Sequence, residues 1–159
     1  MNIKIICIGK LKEKYLTQGI DEYLKRISKY ANINIIELPD EMIPDNPSEK
    51  EVLAIKNLEA QKIMKHIKPT DYVFTLDLRG KELSSEQFAQ KITDATVSGY
   101  SSFCFIIGGT VGLDDQLVTN SNFVISFSKL TFPHQLIRLF LTEQIFRCFK
   151  IINNEKYHW

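Results

Sequence analysis

Short apolar runs alternate with amphipathic stretches along the whole chain, and this alternation predicts the fold. β-Branched and aromatic residues dominate five short runs that we expect to form strands: residues 3–8, 33–38, 72–76, 103–107 and 123–127. Apolar residues recur at helical spacing in four longer stretches, residues 12–30, 48–67, 84–95 and 133–152. Strands separated by helices indicate parallel pairing with crossover helices, so residues 1–159 are predicted to form a single α/β domain.

Local signals set the limits of several of these elements. Ser48 followed by Glu51 has the pattern of a capping box, which begins a helix by satisfying its first free N–H groups. The preceding residues 39–47 contain three prolines and three acidic residues and are expected to form a loop. Residues 103–107 are apolar at every position, which predicts a central strand buried on both faces of the sheet.

The last predicted helix, residues 133–152, is apolar around nearly its whole circumference. Pro133 suits the first position of a helix, where its missing N–H is not needed. A helix that is apolar on all sides needs burial on two sides. The second side is either the surface of another subunit, which makes the protein a homodimer, or the interior of a single core.

Composition and cysteine spacing exclude several classes of protein. No apolar run approaches the roughly 20 residues that cross a bilayer, and the run at residues 3–8 is too short for the core of a signal peptide. We therefore expect a cytoplasmic protein without a membrane segment. Cys7, Cys104 and Cys148 each lie in an apolar segment and lack the spacing of metal ligands. They are expected to be buried, reduced thiols, and no metal site is expected.

The net charge of +1 conceals an uneven distribution of charged residues. Residues 1–30 carry seven Lys and Arg against three acids, and residues 129–159 carry five against two. Residues 37–59 instead carry seven acids against two lysines. The basic ends suit either a patch that holds a polyanion such as RNA or ordinary solvated helix faces, and charge alone does not choose between them.

Three segments of unusual composition each follow a predicted strand, at residues 76–80, 106–112 and 126–135. Ligands of open α/β sheets bind outside the carboxyl ends of the strands, so these three loops are expected to meet at one site. Gly108 and Gly109 allow either close approach of the backbone to a ligand or a tight strand-to-helix turn. Their G-G-x-x-G spacing is neither a dinucleotide fingerprint nor a P-loop.

The third of these loops combines aromatic, small and hydroxyl residues just before Pro133. Its backbone groups could hold the edge of an adenine while phenyl rings form apolar walls. Thr131 and Phe132 could equally serve as the cap and the hydrophobic staple of the last helix. Among the histidines, His134 follows Pro133 at a helix start and could be structural. His158 is the best candidate for proton chemistry, because an unperturbed imidazole titrates near pH 6.5.

Four segments together carry a resemblance to a known family: FIIGG at residues 105–109, SFSK at 126–129, TFPHQ at 131–135 and YH at 157–158. They strongly resemble the ribosomal RNA large subunit methyltransferase H family, which belongs to the SPOUT class of methyltransferases. The likeness covers the whole chain. The glycine pair alone is not specific, whereas the string ISFSKLTFPHQLIR is.

The resemblance implies a SPOUT-type α/β fold, with a parallel sheet flanked by helices and a C-terminal segment threaded into a trefoil knot. It implies a homodimer that uses S-adenosylmethionine to methylate N3 of a pseudouridine in 23S rRNA of the large subunit or assembled ribosome. Carried over by position, it assigns the cofactor pocket to Leu76, Gly108, Phe127, Ser128, Lys129, Leu130, Thr131 and Phe132. It assigns contacts with RNA or the target base to Arg138, Arg147, Tyr157 and His158.

Within this interpretation, His158 is expected to accept the N3 proton or to orient the target base, and Tyr157 to stack on that base or hydrogen-bond to it. Two positions depart from the family pattern: Leu130 replaces a common Met, and Trp159 stands where a basic residue often ends the chain.

Two other interpretations of the sequence remain open. The first is a small flavodoxin-like or Rossmann-type protein that binds FMN or NAD, and the absence of G-x-G-x-x-G argues against it. The second is a non-catalytic, ribosome-associated binding module, which predicts RNA binding without affinity for S-adenosylmethionine.

Overall fold

The computed structural model describes residues 1–157 of the chain. Five strands alternate with five helices in these residues: β1 Asn2–Ile8, α1 Lys14–Ile27, β2 Asn32–Leu38, α2 Glu49–Met64, β3 Asp71–Glu82, α3 Ser85–Val97, β4 Ser102–Ile107, α4 Asp115–Thr119, β5 Phe123–Ser126 and α5 His134–Ile152. All strand pairs are parallel, in the order β2-β1-β4-β3-β5. The predicted α/β class and its five strands are therefore confirmed.

Two hydrophobic clusters cover the two faces of this sheet. On β1, Ile5 and Cys7 belong to the cluster that includes residues of α1, α3 and α5, whereas Ile6 and Ile8 belong to the cluster that includes residues of α2 and α4. Successive side chains of a strand point to opposite faces, so β1 contributes to both clusters. β4 is buried throughout residues 103–107, which confirms the prediction of a central strand.

Two predictions about local chemistry are also confirmed. The Ser48 hydroxyl accepts a hydrogen bond from the backbone N–H of Glu51 at 3.2 Å, and the Glu51 carboxylate accepts one from the backbone N–H of Ser48 at 2.7 Å. This is the capping box at the start of α2. All three cysteines are free and buried, and burial raises the pKa of the Cys7 and Cys104 thiols to about 12.

The sequence pattern does not predict α4, because five residues complete little more than one helical turn. Its start is nevertheless encoded locally. The Asp114 carboxylate accepts hydrogen bonds from the backbone N–H groups of Gln116 and Leu117, as an N-cap residue does.

β3 extends six residues beyond its predicted end at Leu76. Ile125 of β5 pairs first with Leu76 and then, after a detour of the chain at residues 77–80, with Lys81. Gly80 passes so close to β5 that a Cβ atom there would lie 2.6 Å from the Ile125 carbonyl carbon. The two chain segments are thus in direct backbone contact at the carboxyl edge of the sheet. The trefoil knot implied by the resemblance stays a prediction.

α5 packs against α1 and α3. It buries Leu141, Ile145 and Phe149 in a single core cluster, which satisfies one side of this mainly apolar helix. Phe140 and Ile152 each keep 37% of their surface exposed. One core therefore covers most of the helix but leaves Phe140 exposed on its outer side and Ile152 exposed at its end, and the homodimer stays a prediction.

Candidate functional site

The loops that follow β3, β4 and β5 converge on one cavity at the carboxyl edge of the sheet, with a volume of about 420 Å³. That volume falls within the range of small-molecule sites in proteins. The first turn of α5 closes one side of it through His134 and Ile137. This cavity is the candidate ligand site.

Seven of the eight residues assigned to the cofactor by resemblance line this cavity: Leu76, Gly108, Phe127, Ser128, Leu130, Thr131 and Phe132. Lys129 is exposed and does not line it. The cavity also takes in residues that the sequence analysis did not assign to a site: Asp77, Leu78, Ile107, Gly109, Thr110, Gly112, Leu113, Ile125, Ser126, His134 and Ile137. Most of these lie in the three unusual loops, so the loop composition already marks them as candidates.

The glycine turn after β4 is tightly packed against its neighbours. A Cβ on Gly108 would lie 2.9 Å from Cγ of Leu113, and a Cβ on Gly109 would lie 2.8 Å from Cγ2 of Ile8. Gly112 has φ of +85°, a conformation that L side chains rarely adopt. The turn is therefore tight, as one interpretation of these glycines expects, and its residues also line the cavity, while close approach to a ligand stays a prediction.

The loop after β5 is braced by its own side chains. The Ser126 hydroxyl donates to the carbonyl of Ser128 at 2.9 Å, and the Ser128 hydroxyl accepts from the backbone N–H of Leu130 at 3.0 Å. α5 has Pro133 as its N-cap residue, without a side-chain cap bond, so the alternative of Thr131 as the cap is wrong. The backbone of this loop is therefore held in place at the cavity wall.

Asp77 and His134 are the ionisable side chains that line the cavity. Burial, together with the nearby Arg138 guanidinium, lowers the pKa of the His134 imidazole, which is therefore neutral at pH 7. A hydrogen bond from Arg79 holds the pKa of the Asp77 carboxyl below its usual range, and Arg79 also pairs with Asp115. The cavity thus suits a ligand that is neutral or carries positive charge.

A buried acid lies behind the glycine turn. Oε1 of Glu59 accepts a hydrogen bond from the backbone N–H of Glu41 at 3.1 Å, whereas Oε2 is buried and has no partner. Burial raises the pKa of this carboxyl. Oε2 would lie 3.4 Å from a Cβ on Gly109, so the acid reaches the turn from behind rather than from the cavity.

A second groove of about 510 Å³ lies next to the cavity and shares Ile125, Phe127, Ser128 and Phe132 with it. Phe132 packs edge-on against Phe140 across a centroid distance of 5.6 Å. The other lining residues come from the start of α3 and the middle of α5: Leu83, Ser84, Ser85, Phe88, Glu143 and Gln144. The groove therefore has aromatic walls and a polar end that contains a carboxylate.

Arg147 and Tyr157 meet at Glu143. Nε and Nη2 of Arg147 donate to Oε1 of Glu143 at 3.0 and 2.6 Å, and the Tyr157 hydroxyl donates to the same oxygen at 3.1 Å. The Arg147 guanidinium also lies 4.8 Å from the centroid of the Tyr157 ring. Two of the four residues assigned to RNA or the target base are thus held together by a carboxylate that lines the second groove. His158 lies outside the described residues.

Arg138 has a different environment from Arg147. Its side chain is 1% exposed, and Nη1 donates to Oε2 of Glu37 at 2.7 Å. Nη2 donates to the carbonyls of Ile8 and Gly9 at 3.1 and 2.7 Å, while the buried Nε has no partner. In this protomer Arg138 therefore binds the carboxyl end of β1 and does not reach solvent.

Metal and membrane sites find no support within residues 1–157. The described His, Cys, Asp and Glu side chains include no group of three or more placed to hold a metal ion. None of the helices in this part of the chain combines the length and the apolar character needed to cross a membrane.

Comparison with known proteins finds relatives along the full length. A family model described as "Predicted SPOUT methyltransferase" matches residues 1–158. The ribosomal RNA large subunit methyltransferase H of Clostridium botulinum is 55% identical over 158 residues, which cover 99% of each chain. The protein of the same name from Enterococcus faecalis is 51% identical, and the putative one from Methanococcus maripaludis is 52% identical, each with 99% of both chains covered.

Among solved structures, a probable methylase family protein from Haemophilus influenzae matches this chain with a TM-score of 0.53 and 12% sequence identity. The match covers 99% of this chain and 70% of the other. At this level of identity the likeness concerns the fold alone, and it agrees with the parallel α/β architecture described above.

Proposed function

The chain belongs to the ribosomal RNA large subunit methyltransferase H family of SPOUT methyltransferases, and from this premise we propose that it methylates N3 of a pseudouridine in 23S rRNA. S-adenosylmethionine is the methyl donor in this proposal. The acceptor lies in the large subunit or the assembled ribosome, and the reaction takes place in the cytoplasm. The proposal also includes the family's trefoil knot and homodimer, and no metal takes part in the reaction.

The observation that carries the proposal is the single cavity formed by the loops after β3, β4 and β5. Apolar side chains such as Leu76, Ile107 and Leu113 offer walls for an adenine and a ribose, while the backbone of the glycine turn offers N–H and carbonyl groups. Sites of this kind combine an apolar lining with a few fixed polar groups that orient the ligand.

The charge of the cavity also supports this cofactor. S-adenosylmethionine carries a positive sulfur, and Lys129 does not line the cavity. Asp77 supplies negative charge at the rim, and the lowered pKa of His134 keeps that imidazole uncharged near neutral pH. A cation can therefore enter without meeting a like charge from these groups.

When bound, S-adenosylmethionine supplies an activated methyl group on a positively charged sulfur. The protein then has to position the acceptor and manage one proton, because N3–H must lose its proton when N3 gains the methyl group. We propose that His158 accepts this proton as the general base. A general base of suitable pKa raises the reaction rate roughly 100- to 10,000-fold. Tyr157 and Arg147 orient the target nucleobase, and Glu143 accepts hydrogen bonds from both of these side chains.

The second groove offers the acceptor a place next to the cofactor. It shares Phe127, Ser128 and Phe132 with the cofactor cavity, so a base in the groove would lie near a ligand in the cavity. Unstacked nucleobases bind well between aromatic side chains. In this proposal, Phe132 forms one wall for the target base.

The exposed apolar side chains of α5 support the homodimer. Phe140 remains exposed on the side of α5 opposite its buried residues, and Ile152 remains exposed at the last residue of the helix. Covering this outer side with a second copy would remove apolar surface from water. We propose that the dimer and the surrounding ribosome surface together select the target.

Two measurements test the function. Calorimetry with S-adenosylmethionine, FMN and NAD is expected to give binding only with the first. Mass spectrometry of ribosomal RNA from cells with and without this protein is expected to show one methylated pseudouridine that depends on it. Binding of FMN or NAD instead would support the small nucleotide-binding protein, and RNA binding without any cofactor affinity would support the non-catalytic module.

The lowered pKa of His134 makes cofactor affinity depend on pH. Because this pKa lies below its ordinary value, the imidazole gains its proton only at acidic pH, and it then places a positive charge at the cavity wall. The affinity for S-adenosylmethionine is expected to fall as the pH is lowered from 7.5 into the acidic range where this imidazole takes up its proton. Calorimetry at a series of pH values measures this change.

Two variants and one ligand serve as controls for this prediction. His134→Asn is expected to remove most of the pH dependence, whereas His66→Asn, which changes a histidine near the amino ends of the strands, is expected to keep it. S-adenosylhomocysteine lacks the positive sulfur, so its affinity is expected to change less with pH. An unchanged pH profile in His134→Asn would contradict the prediction.

A further inference from the structure

The loop between β1 and α1 carries a set of lysines that the proposed reaction does not use. Lys10, Lys12 and Lys14 alternate along the chain and are all exposed. Within the described residues, none of these three lysines takes part in an ion pair. Residues 9–14, here called the lysine loop, comprise the connection after β1 and the first residue of α1. They present three unpaired lysines against one acid, Glu13.

The lysine loop is held in place by backbone hydrogen bonds. The N–H of Gly9 donates to the carbonyl of Leu38 at 2.7 Å. The N–H of Leu11 donates to Oε2 of Glu37 at 2.6 Å, and that oxygen also accepts from Arg138 at 2.7 Å. These contacts anchor the backbone and leave the lysine side chains to solvent.

Further contacts join the lysine loop to the start of α5. The backbone N–H of Lys12 donates to Oε1 of Gln135 at 3.1 Å, and Nη2 of Arg138 donates to the carbonyl of Gly9 at 2.7 Å. Gln135 directly follows His134, which lines the cofactor cavity. The lysine loop therefore lies at the rim of this cavity, on the same edge of the sheet.

We propose that the lysine loop binds the phosphate backbone of the RNA beside the target nucleotide. This proposal rests on the proposed function, since it assumes that the acceptor is RNA. Lysine contacts to phosphates set the register and orientation of a nucleic acid without reading its sequence. Three unpaired lysines on a braced loop at the cavity rim suit that role, and the buried Arg138 fixes the loop that carries them.

Another group of lysines lies at the opposite edge of the sheet and provides a matched control. Lys65 and Lys68 are exposed and line a cleft of about 600 Å³ at the amino ends of the strands, together with Lys4 and His66. The parallel strands place this cleft one full strand length from the cofactor cavity. A phosphate bound there would not position the adjacent base at the cofactor.

The test compares Lys10→Gln/Lys12→Gln with Lys65→Gln/Lys68→Gln, because each pair removes two charges from one edge. KM and kcat for methylation of ribosomal particles are measured over a series of salt concentrations, and cofactor affinity is measured by calorimetry. The first pair is expected to raise KM about tenfold with little change in kcat or in cofactor affinity. It is also expected to reduce the slope of log(kcat/KM) against log salt by about two, roughly one per lysine.

The control pair is expected to leave KM and the salt slope near those of the unmodified protein. Equal effects of both pairs, or no effect of the first pair, would overturn the proposal. Cosedimentation of the protein with ribosomal particles over the same salt series measures binding to the particles independently of methyl transfer. A protein that binds particles through the lysine loop but transfers no methyl group would contradict the proposed function and keep this inference.

Discussion

Arg138→Met is expected to lower the free energy of unfolding by about 3 kcal/mol. The side chain is 1% exposed and makes three hydrogen bonds, to Glu37, Ile8 and Gly9. Methionine fills most of the volume but leaves the two carbonyls without their donor. Glu37 keeps 37% of its side chain exposed and can recover water, so the loss falls at the lower end of the range for buried ion pairs. Urea unfolding followed by circular dichroism measures it.

Arg26→Met is the matched control for this prediction. Arg26 also pairs with a glutamate, Glu22, but both side chains are about half exposed. Exposed pairs of this kind contribute little to stability, so the control is expected to change the free energy of unfolding far less than Arg138→Met does. Hydrogen exchange adds a local measurement, because the Leu11 amide that bonds to Glu37 is expected to exchange faster in Arg138→Met.

The same variant separates two roles for Arg138. The family resemblance assigns it to RNA or the target base, whereas its contacts in the protomer tie β1 to β2 and α5. A direct role at RNA predicts that Arg138→Met keeps its stability within about 1 kcal/mol and loses methylation. A structural role predicts lower stability and looser binding of ribosomal particles through the lysine loop, with the cofactor cavity still able to bind its ligand.

The regular elements could be predicted from the sequence because their signals are local. Side-chain alternation and β-branched runs mark the strands, and the Ser48 capping box marks the start of α2. The parallel arrangement follows from the alternation of strands and helices, and it brings the three unusual loops to one edge. Seven of the residues assigned by resemblance line this one cavity, and their assignment required no knowledge of how the chain packs.

Features that depend on distant segments could not be predicted in this way. Arg138 reads as a polar position on a mainly apolar helix, and only the tertiary structure shows that β1 and Glu37 surround it. His134 follows a proline at a helix start, and its place in the cavity wall depends on how α5 packs. The extension of β3 depends on a second pairing with β5. The pattern of apolar and polar residues at 77–82 does not predict this pairing.

Gly80→Ala is expected to destabilise the protein by about 3 kcal/mol, because the new methyl group would collide with backbone. Its Cβ would lie 2.6 Å from the carbonyl carbon of Ile125 and 2.8 Å from the backbone nitrogens of Ile125 and Ser126. Backbone atoms in a paired strand cannot rotate away as a side chain can. Relief requires β5 or the extension of β3 to shift, and Ile125 and Ser126 both line the cofactor cavity. Cofactor affinity is therefore expected to fall about tenfold along with stability.

Gly19→Ala tests whether the close backbone contact, rather than the loss of a glycine, causes this effect. A Cβ on Gly19 would lie 3.0 Å from Cδ1 of Leu139, a flexible side chain that can yield. Alanine also favours the helical conformation of α1 by about 1 kcal/mol over glycine, so stability is expected to change by less than about 1 kcal/mol. Urea unfolding and calorimetry with S-adenosylmethionine on both variants measure the difference. If Gly80→Ala binds the cofactor as tightly as the unmodified protein, the close contact between Gly80 and β5 does not shape the cavity. The cavity wall would then depend on the loops alone.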